Sequence, residues 1–453
     1  MTEKRQSIHG QWSSRWIFIL AATGSAVGLG NVWKFPYITG ENGGGAFVLV
    51  YLICIALVGL PIMVAEILIG RRGRQSPLNT MHALAQEAGR SPHWRWVGAM
   101  GIASGFLILS FYTVIAGWAV AYIFRAGSGA FQGATADEID ALFDGLLASP
   151  WALLGWHTLF MIMTVGVVAR GVKSGLEQTV RIMMPALFLL LVLVVGFAMS
   201  TGAFERGVEF MFAPDFSKLT AESILIAMGH AFFTLSLGMG AIMIYGSYLP
   251  QNASIAGASI TIALADTAVA LLAGLAIFPI VFANGLQPGS GPGLVFQTLP
   301  LAFGQMPGGV VFGTLFFILL TFAAWSSSIS IVEPVVAWLV ETRGMTRSRA
   351  CLVSGGVSWL LGIGTILSFN VWAEWKLAGK TFFDWMDYLT ANIMLPLGGL
   401  FIALFAGWVM KRFDVQDELG LGESVWFKVW YAVTRYVTPV LVLVVFLHAV
   451  GIV

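Results

Sequence analysis

The chain has 453 residues, of which 58% are hydrophobic and only 10% are charged, and its formal net charge is +1. A soluble domain carries about 25% charged residues, so a chain with this composition needs lipid around most of its folded surface. The small net charge excludes a general attraction to nucleic acid. The two cysteines, Cys54 and Cys351, fall in different apolar segments and are too few for a metal cluster.

Apolar segments long enough to cross a bilayer follow one another along the chain after a polar N-terminal segment, 1–11. They are continuous runs rather than short alternating stretches, which predicts helices rather than a barrel. The sequence therefore predicts an all-α polytopic membrane protein with 11 transmembrane helices and no cleaved signal peptide. The predicted spans are 12–35, 42–70, 96–125, 151–170, 175–201, 221–249, 254–284, 308–341, 348–367, 382–410 and 425–452.

Most of the Lys and Arg residues fall in the loops of one face, which predicts a cytoplasmic N-terminus and an outer C-terminus in the cell (inner) membrane. Two long segments, 126–150 and 285–307, then lie on the outer side. The second contains the Gly291-Pro292 pair and a short apolar run from Leu294 to Phe303. It is predicted to be a structured lid over the mouth, and the alternative is a loop with no role.

Glycine clusters interrupt the first and the sixth predicted spans, at Gly28-Leu29-Gly30 and at Gly238-Met239-Gly240. Glycine inside a helix costs about 1 kcal/mol relative to alanine. Taken alone, the first cluster could simply let helices pack closely. The two clusters, however, hold the same place in two predicted five-helix units, 12–201 and 221–410, with helix 11 following at 425–453. Five is odd, so the units have opposite orientations, and paired breaks of this kind predict the central site of a transporter.

Polar residues at membrane depth fit such a site. Asp266 is a carboxylate within an apolar segment, and no Lys or Arg falls in the middle of the spans to balance it. Together with Asn31, Thr234 and the carbonyls that a broken helix frees, it offers the oxygen ligands that a hard cation prefers. Ser326, Ser327 and Ser328 could add hydroxyls, although a serine in a membrane helix usually hydrogen-bonds its own helix.

Three long motifs resemble the neurotransmitter:sodium symporter family. They are GSAVGLGNVWKFPYITGENGGGAF within Trp12 to Phe47, AFFTLSLGMGAIMIYGSY from Ala231 to Tyr248, and AAWSSSISIVEP from Ala323 to Pro334. The resemblance covers nearly the whole chain and is closest to the short bacterial branch of multi-hydrophobic amino acid transporters. It implies a five-plus-five inverted repeat with broken helices 1 and 6, two sodium sites and alternating access.

The resemblance also assigns residues. The first sodium site would use Ala26, Asn31, Thr234 and Asp266 together with the substrate carboxylate, and the second would use Gly24, Val27, Ala323, Ser326 and Ser327. The substrate would contact Ser25, Ala26, Leu29, Gly30, Ile108, Tyr112, Phe233, Thr234, Ser236, Met239, Ser327 and Ile331, with the Tyr112 hydroxyl donating to its carboxylate.

The resemblance further implies two gates. The outer gate would pair Lys34 with Asp387. The inner gate would pair Glu341 with Arg5 or Lys4, because His9 stands where the family has arginine.

Other residues refine the expected chemistry. Asp266 stands where many members have Asn and already supplies a negative charge, so no chloride requirement is predicted. Gly28 stands where amine transporters carry Asp, which favours an amino acid substrate. Glu66 resembles a family acid that braces the unwound first helix, and His230 is expected to be a buried histidine with its hydrogen bonds satisfied.

The predicted function is sodium-coupled symport of neutral, hydrophobic L-amino acids. A channel would need rings of repeated polar residues, and an enzyme would need a nucleophile with a base or a metal set, and neither pattern is evident. An ATP motor is not encoded, because Glu374 stands where the phosphate-binding loop before Gly379 requires glycine. A transport-inactive amino acid sensor of the same fold and a symporter for another small zwitterion stay as alternatives.

Overall fold

The protein is described here by a computed structural model covering residues 5–289 and 293–452. Lys4 and the Gly291-Pro292 pair of the predicted lid lie outside the described residues. Within them, nine continuous helices are long and apolar enough to cross a membrane. They are Gly45–Gly73, Pro92–Gly127, Pro150–Ala169, Val172–Met199, Ile255–Ala283, Gly309–Arg343, Arg347–Ser368, Phe382–Val409 and Val425–Ala449, and they correspond to predicted spans 2–5 and 7–11.

Span 1 is broken as predicted. It consists of Arg15–Ala26 and Gly30–Glu41, which meet at an angle of 50°. The first half begins at Ser14, whose hydroxyl accepts a hydrogen bond from the Ile17 backbone N–H at 3.3 Å. It ends at Val27, whose ψ of 106° is extended rather than helical. The extended turn leaves carbonyl groups of the helix end without their usual intrahelical partners.

Span 6 is also interrupted, between Ala221–Thr234 and Ala241–Ser247. Gly238 and Gly240 have φ of +80° and +76°, a region that glycine enters at little cost. A Cβ atom on Gly238 would lie only 2.5 Å from the Leu395 carbonyl oxygen of span 10, so close packing also requires glycine here. The all-α fold with both breaks is therefore the one that the sequence predicts.

Contacts between spans follow a repeated pattern. Span 6 packs on span 2, and in the same way span 1 packs on span 7. Span 8 packs on span 5, and in the same way span 3 packs on span 10. Span 7 likewise packs on span 5 as span 2 packs on span 10. Each contact recurs when five is added to or subtracted from the span numbers, which is the arrangement that two inverted five-helix units require. The bounds 12–201 and 221–410 stay a prediction.

Short helices outside the spans lie at the two faces of the bundle: Pro77–Glu87, Ala136–Leu147, Phe204–Phe212, Leu294–Thr298, Leu299–Gln305 and Arg412–Leu419. Segments 126–150 and 285–307 pack on each other. The ring of Phe296 lies parallel to that of Phe143, with 5.7 Å between the ring centres. The Phe296 carbonyl also accepts a hydrogen bond from the Tyr122 hydroxyl of span 3 at 2.9 Å. The side-chain amide of Gln305 also donates to the Ala134 carbonyl at 3.0 Å.

Candidate sodium and substrate site

A first cluster of oxygen atoms forms where spans 1, 6 and 7 meet. Asn31, Thr234 and Asp266 are all fully buried there. The Asn31 amide nitrogen donates to Asp266 Oδ1 at 2.8 Å, and the Thr234 hydroxyl donates to Asp266 Oδ2 at 3.1 Å. Asn31 Oδ1 accepts the Gly28 backbone N–H at 3.0 Å, which ties the cluster to the break in span 1. The structure thus brings together three of the four residues predicted for the first sodium site, and the fourth, Ala26, lines the adjoining cavity.

The charge of this cluster comes from one carboxylate. Among the described residues, Asp266 forms no ion pair with a Lys or Arg side chain. A buried anion with only neutral hydrogen-bond donors is costly unless a cation neutralises it. Carboxylate, hydroxyl and amide oxygens are ligands for a hard cation, so the residues present fit a sodium ion.

A second oxygen cluster joins the break in span 1 to span 8. The Ser327 hydroxyl lies 3.4 Å from the Gly24 carbonyl oxygen and 3.1 Å from those of Ser25 and Val27. Ser326 instead donates to the Ala323 carbonyl of its own helix at 3.1 Å, as serines in membrane helices usually do. The residues predicted for the second sodium site are therefore neighbours here, and the Ser25 carbonyl is an additional oxygen that was not predicted.

A small buried cavity of about 20 Å³ lies between the two broken spans. Its lining is Ser25, Ala26, Gly28, Leu29, Gly30, Ile108, Tyr112, Phe233, Ser236, Met239, Ser327 and Ile331. Of the residues predicted to contact the substrate, only Thr234 is missing from this lining, because its hydroxyl points to Asp266. Gly28 lines the cavity although it was not in the predicted set, and its place in the glycine cluster was the available signal.

The cavity lining combines polar groups with apolar side chains. Among the polar groups, the Tyr112 hydroxyl accepts the Leu29 backbone N–H at 3.3 Å, and the Ser236 hydroxyl donates to the Ser25 carbonyl at 2.7 Å. Ser330, which sequence reasoning missed, accepts a hydrogen bond from the Ser25 hydroxyl at 2.7 Å. The apolar part of the lining, which we call the apolar end, is formed by the side chains of Ile108, Phe233, Met239 and Ile331. These groups suit a small zwitterion with an apolar side chain, and the lining must move apart to admit one, because the cavity as it stands holds about one water molecule.

A larger cavity of about 390 Å³ adjoins the first and shares Leu29, Tyr112 and Phe233 with it. We call it the vestibule. The predicted outer-gate residues Lys34 and Asp387 both line it, but no ion pair joins the two side chains among the described contacts. Lys34 Nζ instead lies 4.8 Å from the centre of the Phe233 ring. The structure therefore places the two gate residues in one cavity without joining them.

Residues 5–14 pack against the helix bundle, and we call the face on which they lie the N-terminal face. Trp12 is 2% exposed; its ring N–H donates to the Tyr245 carbonyl at 3.1 Å, and its backbone N–H donates to the Tyr248 carbonyl at 3.0 Å. The Ser13 hydroxyl donates to Glu177 Oε1 of span 5 at 2.5 Å. These contacts hold the start of span 1 against spans 5 and 6.

The prediction for the inner gate is wrong in its basic partner. His9 Nε2 lies 3.0 Å from Glu341 Oε1, whereas Arg5 Nη1 pairs with Glu87 Oε2 at 3.1 Å. The fold places His9, rather than Arg5, next to Glu341. The Glu341 carboxylate also accepts hydrogen bonds from the Ser76 backbone N–H and the Asn79 side-chain amide.

Two further expectations need correction. Glu66 Oε1 accepts the Gly238 backbone N–H at 2.6 Å, so this acid braces the break in span 6 rather than the one in span 1. Neither ring nitrogen of His230 has a hydrogen-bond partner within the described residues. Its ring lies 6.0 Å from that of Phe35 and 5.6 Å from that of Tyr51, so aromatic packing takes the place of the expected hydrogen bonds.

Comparisons with known proteins find transporters that are similar to this chain over nearly its whole length. The crystal structure of MhsT in complex with L-phenylalanine is similar to this chain with a TM-score of 0.90 and 46% identity, over 97% of this chain and 99% of that one. An uncharacterized sodium-dependent transporter, YhdH, from Bacillus subtilis is 41% identical over 98% of both chains. Another uncharacterized sodium-dependent transporter, from Haemophilus influenzae, is 35% identical over 96% of this chain and 97% of that one.

The model of the sodium:neurotransmitter symporter family matches residues 9–136 and 142–452. The family that the motifs resemble, the helical fold with a broken first span and a transport rather than an enzymatic role are all confirmed by these findings. The chain is a multi-pass membrane protein and a sodium-dependent transporter, and it belongs to the sodium:neurotransmitter symporter family.

Proposed function

We propose that this transporter is a secondary active symporter that couples sodium to the uptake of neutral, hydrophobic L-amino acids by alternating access. One observation carries the proposal: a cavity lined by both polar groups and apolar side chains lies between two broken helices, beside the buried Asp266 cluster. The broken ends offer backbone donors and acceptors for an amino and a carboxylate group.

Coupling would arise because ion and substrate share neighbours. Ala26 lines the cavity and belongs to the predicted first sodium site, and Gly28 lines the cavity while donating to Asn31 of the same site. A sodium ion beside Asp266 would then be close enough for a bound carboxylate to complete its coordination. Each of the two anionic groups is costly to bury alone, and the cation between them lowers that cost.

Selectivity would come from the apolar end of the cavity. Ile108, Phe233, Met239 and Ile331 exclude charged side chains by desolvation, and methionine adapts to substrates of different shape. Gly238 and Gly240 flank Met239 and adopt positive φ, so the backbone on either side has conformational freedom. Aromatic amino acids are included in the proposed range, and the L-phenylalanine in the MhsT structure supports this.

The finer cofactor assignment is also part of the proposal. We assign two sodium ions, one to the Asp266 cluster and one to the Ser327 cluster, and no chloride requirement, because Asp266 supplies the negative charge beside the first site. Neither ATP nor nucleic acid takes part, and membrane lipid surrounds the spans.

In the proposed orientation the N-terminal face is cytoplasmic and the C-terminus lies outside. The clustering of basic residues on the loops of the N-terminal face supports this. The vestibule would then open outward, and segment 285–307 would act as a lid beside it.

Uptake of each radiolabelled amino acid into proteoliposomes, with and without an inward sodium gradient, tests the proposal. We expect saturable accumulation of hydrophobic amino acids that disappears when choline replaces sodium and is unchanged when gluconate replaces chloride. Sodium-dependent binding without accumulation would favour the sensor instead. Accumulation of a different zwitterion with no response to hydrophobic amino acids would contradict the substrate assignment.

A further inference from the structure

The contact between His9 and Glu341 closes the N-terminal face with a side chain that can change its charge. His9 Nε2 and Glu341 Oε1 are 3.0 Å apart, and the two side chains are 4% and 7% exposed. The contact joins the segment before span 1 to the end of span 8, two parts of the chain that must separate if the cavity is to open on this side.

The other hydrogen-bond partners of Glu341 within the described residues are neutral. Glu341 accepts hydrogen bonds from the Ser76 backbone N–H at 2.8 Å and from the Asn79 amide at 2.8 Å, and neither donor is charged. The ring of Tyr248, from the end of span 6, lies 5.9 Å from that of His9.

Tyr248 and Arg5 are engaged with other acids. The Tyr248 hydroxyl donates to Glu333 Oε1, and Glu333 pairs with Arg347. Arg5 and Arg72 pair with Glu87 from the short helix Pro77–Glu87. Within the described part of the chain, Glu341 is thus the acid in direct contact with the His9 ring.

Histidine and arginine differ at such a position. A guanidinium keeps its charge at every physiological pH, whereas imidazole changes between a cation and a neutral ring across that range. Both forms can donate from Nε2, but a hydrogen bond between two charged groups is the stronger one.

We propose that His9 and Glu341 form a pH-responsive latch on the N-terminal face, which acid strengthens and alkali weakens. The inference rests on the alternating access of the proposed function. The sign follows from the charges: the protonated ring favours the closed face, and loss of its proton as the pH rises makes opening easier. On the proposed orientation, an alkaline cytoplasm would favour release of substrate into the cell.

The test is the alkylation rate of a reporter cysteine beside Glu341, in the full-length protein in detergent without sodium. Ser76→Cys is suitable because Ser76 is fully buried and its hydroxyl has no hydrogen-bond partner among the described residues. Cys54→Ala and Cys351→Ala remove the two native thiols. Thiol reactivity itself rises with pH, so each rate is divided by that of a matched His9→Arg protein.

We expect this ratio to rise about fivefold between about pH 5.5 and about pH 8.5. A constant ratio, or no alkylation at either pH, overturns the latch. His9→Lys provides the same permanent charge if His9→Arg folds poorly.

Two controls locate the effect. With Glu341→Gln in both proteins the pH dependence of the ratio should vanish, and its persistence contradicts the proposal. Arg5→Gln, which breaks the separate pair with Glu87, should leave the ratio's pH dependence intact, and its loss would contradict the assignment to His9.

Transport assays keep this inference separate from the proposed function. Sodium-driven uptake together with a flat ratio overturns the latch alone. A pH-dependent ratio in a protein without uptake overturns the transport proposal alone.

Discussion

The two oxygen clusters beside the break in span 1 differ in charge and in the elements that they join. The first contains the carboxylate of Asp266 and joins spans 1, 6 and 7. The second consists of neutral oxygens and joins span 1 to span 8 through the Ser327 hydroxyl. The difference suggests two roles for bound sodium: at the first cluster it would help to hold the substrate carboxylate, and at the second it would hold span 1 against span 8.

Asp266→Ala gives the strongest test of this division. Sodium affinity and amino acid affinity should fall together, each on the order of 100-fold, because removing one partner of a buried charged contact is costly. Equilibrium binding of radiolabelled substrate across a sodium titration measures both. A mutant that keeps the sodium dependence of the wild-type protein would show that the charged cluster is not the coupling site.

Gly28→Ala should affect both clusters, because Gly28 lies between them. A Cβ atom at this position would lie 2.5 Å from Ser327 Oγ and 2.9 Å from the Tyr112 hydroxyl. Overpacking of this kind costs about 1–3 kcal/mol, so substrate affinity should fall by about tenfold or more. Gly229→Ala in span 6 is the control, since the nearest described atom to a Cβ there is a Val445 methyl group at 4.0 Å. Unchanged substrate binding in Gly28→Ala would contradict the close packing around the cavity.

The contrast between the clusters also shows what the sequence could predict. Long apolar runs located the nine continuous spans that the described residues contain, because a helix that crosses lipid has a composition that no loop shares. The glycine pairs located both breaks, since their conformational cost must have a structural reason. Asp266 stood out because an acid at membrane depth demands compensation.

Other features depend on which side chains meet across the bundle, and sequence alone does not contain that information. The partner of Glu341 proved to be His9 rather than Arg5, and Glu66 proved to brace span 6 rather than span 1. In both cases the residue type was compatible with several neighbours at similar depth. Ser330 escaped notice for the same reason: it is one of several serines on span 8, and only the fold shows that it meets Ser25.

Ser327→Ala tests the neutral cluster. Removing the hydroxyl that reaches the Val27 carbonyl should lower sodium affinity by about tenfold, as expected for the loss of one oxygen near a cation. Ser327 also lines the substrate cavity, so substrate affinity at saturating sodium should fall too, but by less than sodium affinity, which separates this cluster from the first. Ser328→Ala is the control, because its hydroxyl bonds the Trp325 carbonyl and Thr164 rather than span 1. Equal effects of the two substitutions on sodium affinity would contradict the role of Ser327.

Met239→Leu should have the smallest effect and should leave both clusters unchanged. Met239 lines the apolar end of the cavity and is 3% exposed, and leucine has nearly the same volume but fewer rotatable bonds. Sodium affinity should therefore stay constant, while the ratio of phenylalanine to leucine uptake shifts by about threefold, because the stiffer side chain adapts less well to substrates of different shape. Competition uptake with the two amino acids measures the ratio. A changed sodium affinity would mean that the apolar end and the charged cluster are not independent. Sodium binding by the Asp266 cluster and substrate selection by the apolar side chains would then not be separate functions.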